Sequence, residues 1–412
     1  MFAALAALAC TASAATAQLS AAAAAVRQAI PVQGPPFAAA LAGIDSQGMI
    51  AFRAGKQPRS LPMAELVAWG APSEVGAHTQ ILLADGGVLA AEIMSSDESR
   101  LKVDSALFGL PEIPLENVAG VICHPPADAR GGDLLAARLR SGSGKEPPGE
   151  GTGGDGAAPR QNSDRLILEN GDELAGTITA IDGDKLQLKT PAGPVEIELD
   201  KVVAIGFNPS LLAEVRPRGV YCLVGFSDGS LLAAASLVVG ESLARVTLAG
   251  GLELSADAGA VTFLQVFGGK AEYLSDLPSE SYRHVPYLNL SWPFERDANV
   301  LRAHLRAGGR SYVKGIGMHS ASRLTYRLEP KYRRFEAEIA IDDETDGRGS
   351  VVFRVFVDER EAYKSPVIRG GMTPTPISVD GRGGKRLSLI VDFAVRGDEL
   401  DHADWLNARL VD

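Results

Sequence analysis

The sequence predicts an all-β protein in which small β-barrel repeats are followed by a two-sheet sandwich. Segments that alternate apolar and polar residues run through most of the chain, as half-buried antiparallel strands do. A block with an Asp-Gly or Asn-Gly hairpin signal recurs in the middle of the chain, because both residues of that pair tolerate positive φ. From Tyr273 the repeat stops and roughly eight further strand-like segments follow, which is typical of a sandwich or jelly roll.

Length and charge narrow the functional classes. The chain has 412 residues, which is more than one typical domain, and its formal net charge is -11. A chain with an acidic excess and no rival Lys/Arg cluster is a poor partner for a phosphate backbone. We therefore expect several globular units and no nucleic-acid partner.

The first 17 residues have the pattern of a signal peptide. A short Ala/Leu stretch precedes Ala15-Thr16-Ala17, which has the form of a cleavage site before Gln18. No Lys or Arg stands before the apolar stretch, so an Ala-rich tail is the alternative interpretation. No later segment offers the roughly 18 apolar residues of a membrane span. These features predict a secreted or periplasmic protein.

Two cysteines remain if the signal peptide, which contains Cys10, is removed. An oxidising compartment would permit Cys123 and Cys222 to form a disulfide. Both lie inside apolar strand-like runs, which favours two buried free thiols.

The repeat occupies 36–127 and 164–267. Its copies are 79–122, 164–205 and 220–264, aligned on Gly86, Gly171 and Gly229, and 43–69 matches only the second half of a copy. About five short strands in a copy close best as a small barrel, and the pattern resembles Sm-like or SH3-like barrels. A scaffold that spaces or oligomerises other parts is the favoured role, against a dedicated ligand site.

The segment 128–163 separates the copy at 79–122 from the copy at 164–205. Apolar residues at helical spacing from Asp133 to Leu139 predict a short helix. The following Gly, Pro and charged residues of 141–163 predict a flexible linker.

Residues 272–412 carry a family resemblance. The matching positions are Trp292-Pro293, Asp297-Ala298-Asn299-Val300, Gly308-Gly309, Tyr312, Lys314-Gly315-Ile316-Gly317-Met318-His319-Ser320, Tyr326-Arg327-Leu328, Phe335, Ile341-Asp342-Asp343, Val352-Phe353 and Asp401-His402-Ala403-Asp404-Trp405. In this order they resemble the NPCBM family of carbohydrate-binding modules. The resemblance implies a galactose-binding-like β-sandwich jelly roll that recognises galactose-type or related glycans, is commonly attached to glycoside hydrolases, and often holds a structural calcium. Ala340 and the pair Glu359-Arg360 depart from the family pattern, which bears on the ligand loops more than on the fold.

Four residues are candidates for sugar binding. His319 follows a Gly-x-Gly turn and could donate to a sugar hydroxyl, or it could be a buried residue that ties a loop to the backbone. Trp292, Tyr312 and Tyr326 could offer a flat apolar face to a sugar, although core packing is the commoner role of each such ring. Trp292 stands beside a proline and outside a clear strand, so it is the better candidate for exposure.

Four aspartates are candidates for the implied calcium: Asp342, Asp343, Asp401 and Asp404. Hard cations prefer clustered carboxylate and carbonyl oxygens. The run from Asp342 to Gly347 opens like an EF-hand loop, but Phe353 stands where the bidentate Glu must be, so that motif is excluded. The alternative is a solvated acidic turn with one carboxylate that caps backbone donors.

The sequence contains no catalytic signature, and Ser320 beside His319 lacks a nucleophile elbow. We therefore expect a carbohydrate-binding protein that is not an enzyme. The alternative is a structural or protein-interaction module of the cell envelope in which sugar binding has been lost.

Overall fold

The computed structural model describes residues 25–55, 57–141, 162–215, 217–286, 290–395 and 397–412. The predicted signal peptide, with Cys10, lies outside the described residues. So does most of the predicted linker. Within the described residues, Cys123 and Cys222 are free thiols, and Cys222 is buried.

Four units of similar topology form an N-terminal body. Unit A contains β1 (Arg27–Pro31), β2 (Phe37–Ile44), β3 (Met49–Ala54), β4 (Gln57–Pro62) and β5 (Leu66–Gly70). Unit B contains β6 (Gln80–Leu83), β7 (Val88–Ala90), β8 (Glu92–Ser96), β9 (Arg100–Asp104), β10 (Glu112–Pro114) and β11 (Val118–Ile122). Unit C contains β12 (Asp164–Leu168), β13 (Glu173–Asp182), β14 (Lys185–Thr190), β15 (Gly193–Glu198) and β16 (Val202–Gly206). Unit D contains β17 (Tyr221–Phe226), β18 (Leu231–Val239), β19 (Leu243–Leu248), β20 (Glu253–Asp257) and β21 (Val261–Phe267).

Every unit repeats one pairing scheme. In unit D the first strand, β17, pairs with both the second strand and the last, and the second, third and fourth strands follow one another as antiparallel neighbours. In unit B the second strand is divided into β7 and β8. A short 3-10 helix precedes the last strand of each unit; these helices are Met63–Glu65, Leu115–Asn117, Leu199–Lys201 and Ala258–Ala260. Closure of each unit into a barrel stays a prediction.

Unit A is complete, which differs from the half copy predicted at 43–69. Its first two strands, β1 and β2, pair through Arg27↔Ala39 and Ala29↔Phe37, so the repeats begin before residue 36. The sequence signal was missing because the connection between these strands is Val-Gln-Gly-Pro-Pro, which has positive φ at Gly34 but lacks the Asp-Gly or Asn-Gly pair of the other units.

The units associate as nested pairs. The last strands of units A and D lie side by side, as do those of units B and C. The second strands of the same partners also touch, through β2 with β18 and β8 with β13. One continuous apolar core, with Phe52, Trp69 and Phe226 among its large side chains, runs through all four units.

Helix α1 (Ala129–Ser141) covers the junction of units B and C. It extends the predicted helix at both ends and buries Ala136 and Leu139 against Ala119, Ile122 and Ala204. Leu139 reaches the strand backbone at Gly120, where an added Cβ would lie 3.3 Å from the Leu139 Cβ.

The remaining strands form the sandwich, residues 271–411. They are β22 (Ala271–Tyr273), β23 (Ser281–His284), β24 (Glu295–Arg296), β25 (Leu305–Ala307), β26 (Arg310–Tyr312), β27 (Gly315–His319), β28 (Ser322–Arg327), β29 (Arg334–Ile341), β30 (Ser350–Val357), β31 (Arg360–Lys364), β32 (Ile368–Arg369), β33 (Thr375–Asp380), β34 (Arg386–Phe393) and β35 (His402–Val411). One sheet has the order β24-β27-β35-β29-β33 with β22 on β35, and the other has the order β23-β28-β34-β30-β31 with β32 on β30. Strands β25 and β26 form a separate hairpin. Both sheets contribute to one core, in which Trp405 is fully buried and meets Phe353 edge to face. These sheets confirm the predicted all-β class.

The sandwich packs directly on the N-terminal body. Apolar side chains of units A and D and of strands β22 and β35 make one buried cluster: Val32, Val67, Ala68, Leu223, Ala233, Phe263, Ala271, Tyr273 and Val411. Within this region the Gln265 side-chain amide donates to Asn407 Oδ1 over 3.1 Å. The two parts are therefore joined by a packed apolar surface.

Candidate functional site

An aromatic cluster lies at one end of the sandwich. The rings of Trp292 and His319 stack with their centroids 4.7 Å apart and their planes within 3° of parallel. His402 lies 5.8 Å from each of them, and His284 lies 6.0 Å from His319. The fold explains the meeting, because His319 ends β27, His402 begins β35, and the two residues are register partners.

Trp292 is half-buried and its backbone is fixed on both sides. Its N–H donates to His284 Nδ1 over 3.1 Å, and its carbonyl oxygen accepts from the Tyr282 hydroxyl over 2.7 Å. The Tyr282 hydroxyl also lies 3.1 Å from Ser322 Oγ. These bonds hold the indole in place on His319, so it is a pre-arranged platform.

His319 is neutral at physiological pH. Burial, together with the neighbouring His402 and His284, lowers the pKa of its imidazole to about 4. This neutral imidazole is buried beneath the indole, since His319 is only 3% exposed. His402 is held by a carboxylate, since its Nδ1 lies 2.5 Å from Glu344 Oε1.

Exposed apolar residues occur on the segments that flank the cluster. Val285 follows His284, and Leu290 precedes Trp292; both side chains are more than half exposed. Phe393 and Val395 are also exposed, and they open the loop that carries Asp398, whose charge acts on His319. A flat ring beside imidazole and carboxylate groups, with apolar residues around it, is the composition of a sugar-binding face.

Asp342 and Asp404 form a buried carboxyl pair. Asp342 Oδ1 accepts from the Glu344 N–H over 3.0 Å, and its Oδ2 accepts from the Arg306 N–H over 3.1 Å. Asp404 is fully buried, and neither of its oxygens accepts a hydrogen bond from an N–H group of the described residues. Burial, followed by the charge of Asp342, raises the pKa of Asp404 well above its usual value. The two side chains therefore share one proton.

The other two candidate aspartates cap backbone donors. Asp343 accepts from the N–H groups of Gly308 and Gly309 over 3.0 and 2.8 Å. Asp401 Oδ1 accepts from the Ser350 N–H over 2.8 Å, and burial raises the pKa of Asp401 to about 6 despite this bond.

The calcium that the family resemblance implies stays a prediction. Ca²⁺ takes six to eight oxygen ligands with free lone pairs, whereas the oxygens of Asp342 and Asp343 already face N–H donors. Among the described residues, no group of three or more His, Cys, Asp or Glu side chains is arranged to hold a metal ion.

The two candidate tyrosines lie away from the cluster. Tyr326 is 1% exposed and packs inside the sandwich, where no face of its ring is open to a sugar. Tyr312 packs with Leu305, Ala340 and Leu406, and its hydroxyl donates to Glu338 Oε2 over 3.2 Å. We leave both out of the site.

Sequence reasoning missed His284, Glu344 and His402. His402 stood in the quoted family pattern, but nothing in the sequence indicated that β35 pairs with β27 and places it opposite His319. Glu344 was visible only as part of an acidic run.

No helix in the described ranges is long and apolar enough to span a bilayer.

The sandwich region matches a known protein family. Residues 270–411 match the NPCBM/NEW2 domain, so this part of the chain is such a domain, as the sequence resemblance predicted. A protein of Renibacterium salmoninarum named as a candidate endo-alpha-N-acetylgalactosaminidase is 36% identical over 125 residues, which are 29% of this chain and 8% of that protein. Alpha-1,3-galactosidase B of Akkermansia muciniphila is 36% identical over 115 residues, which are 27% of this chain and 14% of that protein. The chain thus spans a small part of either relative.

Among solved structures, the CBM51 of Clostridium perfringens GH95 in complex with methyl-galactose is 28% identical, with a TM-score of 0.31 over 34% of this chain and 99% of that chain. The CBM51-2 and INT domains of Clostridium perfringens ZmpB are 27% identical, with a TM-score of 0.32 over 43% of this chain and 37% of that chain.

Proposed function

We propose that this chain is a non-catalytic carbohydrate-binding protein whose sandwich recognises galactose-type or related glycans at the aromatic cluster. The observation that carries the proposal is the stacked pair of Trp292 and His319 at the end of an NPCBM/NEW2 domain. The free face of the indole would pack on the C–H groups of a sugar, and the neighbouring His402 and Glu344 would bond its hydroxyls. The names of the two curated relatives, which both refer to α-linked galactose-type sugars, support this sugar class.

The state of the carboxyl groups supports binding without catalysis. Glycoside hydrolysis needs two carboxyl groups that flank the scissile bond. In the sandwich, Asp342 and Asp404 are buried against each other, and Glu344 is engaged by His402. We place the protein outside the cytoplasm, secreted or periplasmic, where such glycans occur.

A second candidate is a protein-interaction module of the cell envelope. The exposed apolar residues Val285, Leu290, Phe393 and Val395 favour it, because such a group can also cover a protein surface. A partner captured from an envelope fraction that stays bound in excess free sugar would support this second candidate against the first.

The test is calorimetric titration of the full chain with galactose, N-acetylgalactosamine and their α-linked oligosaccharides, after a glycan array has identified a ligand. Trp292→Ala removes the platform, so we expect affinity to fall by about tenfold or more, which is about 1.4 kcal/mol. The matched control is Phe356→Ala, which removes a half-buried aromatic side chain from β30 of the same sandwich. Phe356 lies near the opposite end of this strand from Ser350, whose N–H bonds Asp401 beside the cluster residue His402. Absence of binding to every glycan by the folded wild type, or equal affinities for both variants, would overturn the proposal.

A further inference from the structure

Arg306 connects the sandwich to the N-terminal body. It lies in the β25–β26 hairpin, and its Nη1 donates to Asp133 Oδ2 over 2.7 Å while its Nε donates to Glu74 Oε1 over 2.8 Å. Asp133 belongs to α1, and Glu74 lies on the connection between units A and B. Ser311, on the second strand of the hairpin, also donates to Glu74 Oε1 over 2.7 Å. Both strands of the hairpin are therefore held by the N-terminal body.

The charges at this contact are mutually dependent. Burial alone would raise the pKa of Asp133, but bonds from His304 and Arg306 hold it well below its usual value. Burial alone would lower the pKa of Arg306, and Asp133 and Glu74 instead keep it above its usual range. The side chain of Asp133 is 9% exposed, so removal of its charge would leave the positive charge of Arg306 only partly neutralised.

The same hairpin holds the acidic turn, residues 342–346. The main-chain N–H of Arg306 donates to Asp342, and the hairpin's Gly308 and Gly309 donate to Asp343. Both glycines have positive φ, +60° and +71°, which orients their N–H groups toward the turn. The hairpin therefore helps to hold the acidic turn, together with β35, whose His402 carbonyl oxygen accepts from the Asp342 N–H over 2.9 Å.

The acidic turn reaches the aromatic cluster through the Asp342 N–H, which bonds the His402 backbone, and through the Glu344 side chain. Asp342 caps the short helix Asp343–Thr345 by accepting from the Glu344 N–H, and this fixes the direction in which Glu344 leaves the turn. Glu344 then bonds His402, which lies 5.8 Å from both Trp292 and His319.

We propose that Asp133 and Glu74 of the N-terminal body are positioning residues for the sugar site, and that they act through Arg306 and the acidic turn on Glu344 and His402. This inference rests on the proposed function only where it is tested by glycan binding. It also assigns the N-terminal body a role in recognition, since a sandwich without these two carboxylates would hold the same site residues less accurately.

The experiment compares the full-length wild type with Asp133→Asn combined with Glu74→Gln. We expect glycan affinity to fall by about threefold to tenfold, a range typical of mutations that act at a distance. The matched control is Glu65→Gln, which removes the ion pair between Glu65 of unit A and Lys270, the residue before the sandwich, without touching the hairpin. Equal losses in the two variants, or no loss in either, would overturn the proposal.

Two further readouts separate positioning from a general loss of stability. If the two carboxylates act through Glu344, their substitution should have no further effect once Glu344 is changed. The triple variant, in which Glu344→Gln is added to Asp133→Asn and Glu74→Gln, should therefore bind glycan no more weakly than Glu344→Gln alone. Additive losses would overturn the route through Glu344.

The NMR signals of the His402 imidazole in the ligand-free protein should move in the Asp133/Glu74 variant and stay in place in Glu65→Gln. If the wild type binds no glycan, the proposed function fails while these signals still decide the positioning. Moved signals support it, and unmoved signals overturn it.

Discussion

Asp404 is a fully buried carboxyl group in the candidate site. The charge of another carboxyl group, Asp342, acts on it. Two carboxylates in contact cannot both be charged at low cost, so the folded state retains a proton that the unfolded chain would release at neutral pH.

The raised pKa of Asp404 determines how the stability of the fold changes with pH. Because the folded pKa of Asp404 is raised, its contribution to stability is complete below the unfolded pKa of about 4 and is lost as the pH rises. Asp404→Asn replaces the shared proton with an amide donor to Asp342. We compare the free energy of unfolding of this variant with that of the wild type. We expect the difference to be more favourable to the variant at pH 8 than at pH 4, by on the order of 1 to 2 kcal/mol.

Denaturant unfolding at the two pH values checks this prediction, with Asp404→Ala as the control that supplies no donor and should destabilise at both. A larger loss for Asp404→Asn at pH 8 than at pH 4 would contradict the shared proton. So would a melting temperature of the wild type that rises on addition of calcium.

Residue-level prediction from the sequence succeeded where one side chain was conspicuous. Trp292, beside Pro293 and outside a strand, was expected to be accessible, and the structure places its half-buried ring on His319. His402 and Glu344 could not be found in the same way, because their role depends on a strand pairing between residues more than 80 positions apart.

At the scale of elements, close strand contacts between units depend on glycine. Gly70 ends β5, where unit A meets unit D, and it has φ +77°. A Cβ at this position would lie 2.1 Å from the Thr262 carbonyl oxygen, which real contacts do not allow. The strands can approach this closely only because residue 70 has no side chain.

Gly70→Ala should therefore destabilise the N-terminal body by more than the usual cost of positive φ. Gly76→Ala is the matched control, because Gly76 has a similar φ of +69° and open space around it. The control should cost about 1 kcal/mol, and Gly70→Ala should cost at least about 2 kcal/mol more, since backbone must move. Urea denaturation measures both, and equal losses would refute the close-contact argument.

Hairpin signals predicted these elements unevenly. Asp-Gly and Asn-Gly pairs gave units B, C and D their register, whereas unit A, with Pro and a lone Gly in its first connection, was recognised only by its second half. The nested association of A with D and B with C was not predictable, because last strands pair between units that are distant in the chain.

At the scale of the whole molecule, the sandwich and the N-terminal body share a core. The predicted linker at 141–163 divides the N-terminal part and does not separate that part from the sandwich. The shared core instead buries Val67, Tyr273 and Val411 almost completely, and the Tyr273 hydroxyl donates to the Val67 carbonyl oxygen over 3.4 Å.

A charge placed in this shared core should uncouple the two parts. Val67 is 1% exposed and lies against the sandwich, so Val67→Asp buries a carboxylate without a partner, at a cost of about 3 kcal/mol or more. Calorimetry of the wild type should show one transition or two strongly overlapping ones, and the variant should show the sandwich melting at a separate, lower temperature. Val195→Asp is the matched control, because Val195 is 42% exposed on β15 and does not belong to the shared core. An unchanged melting profile in Val67→Asp would mean that the parts fold independently. In that case the Asp133 and Glu74 contacts would have to hold the acidic turn without support from a packed surface.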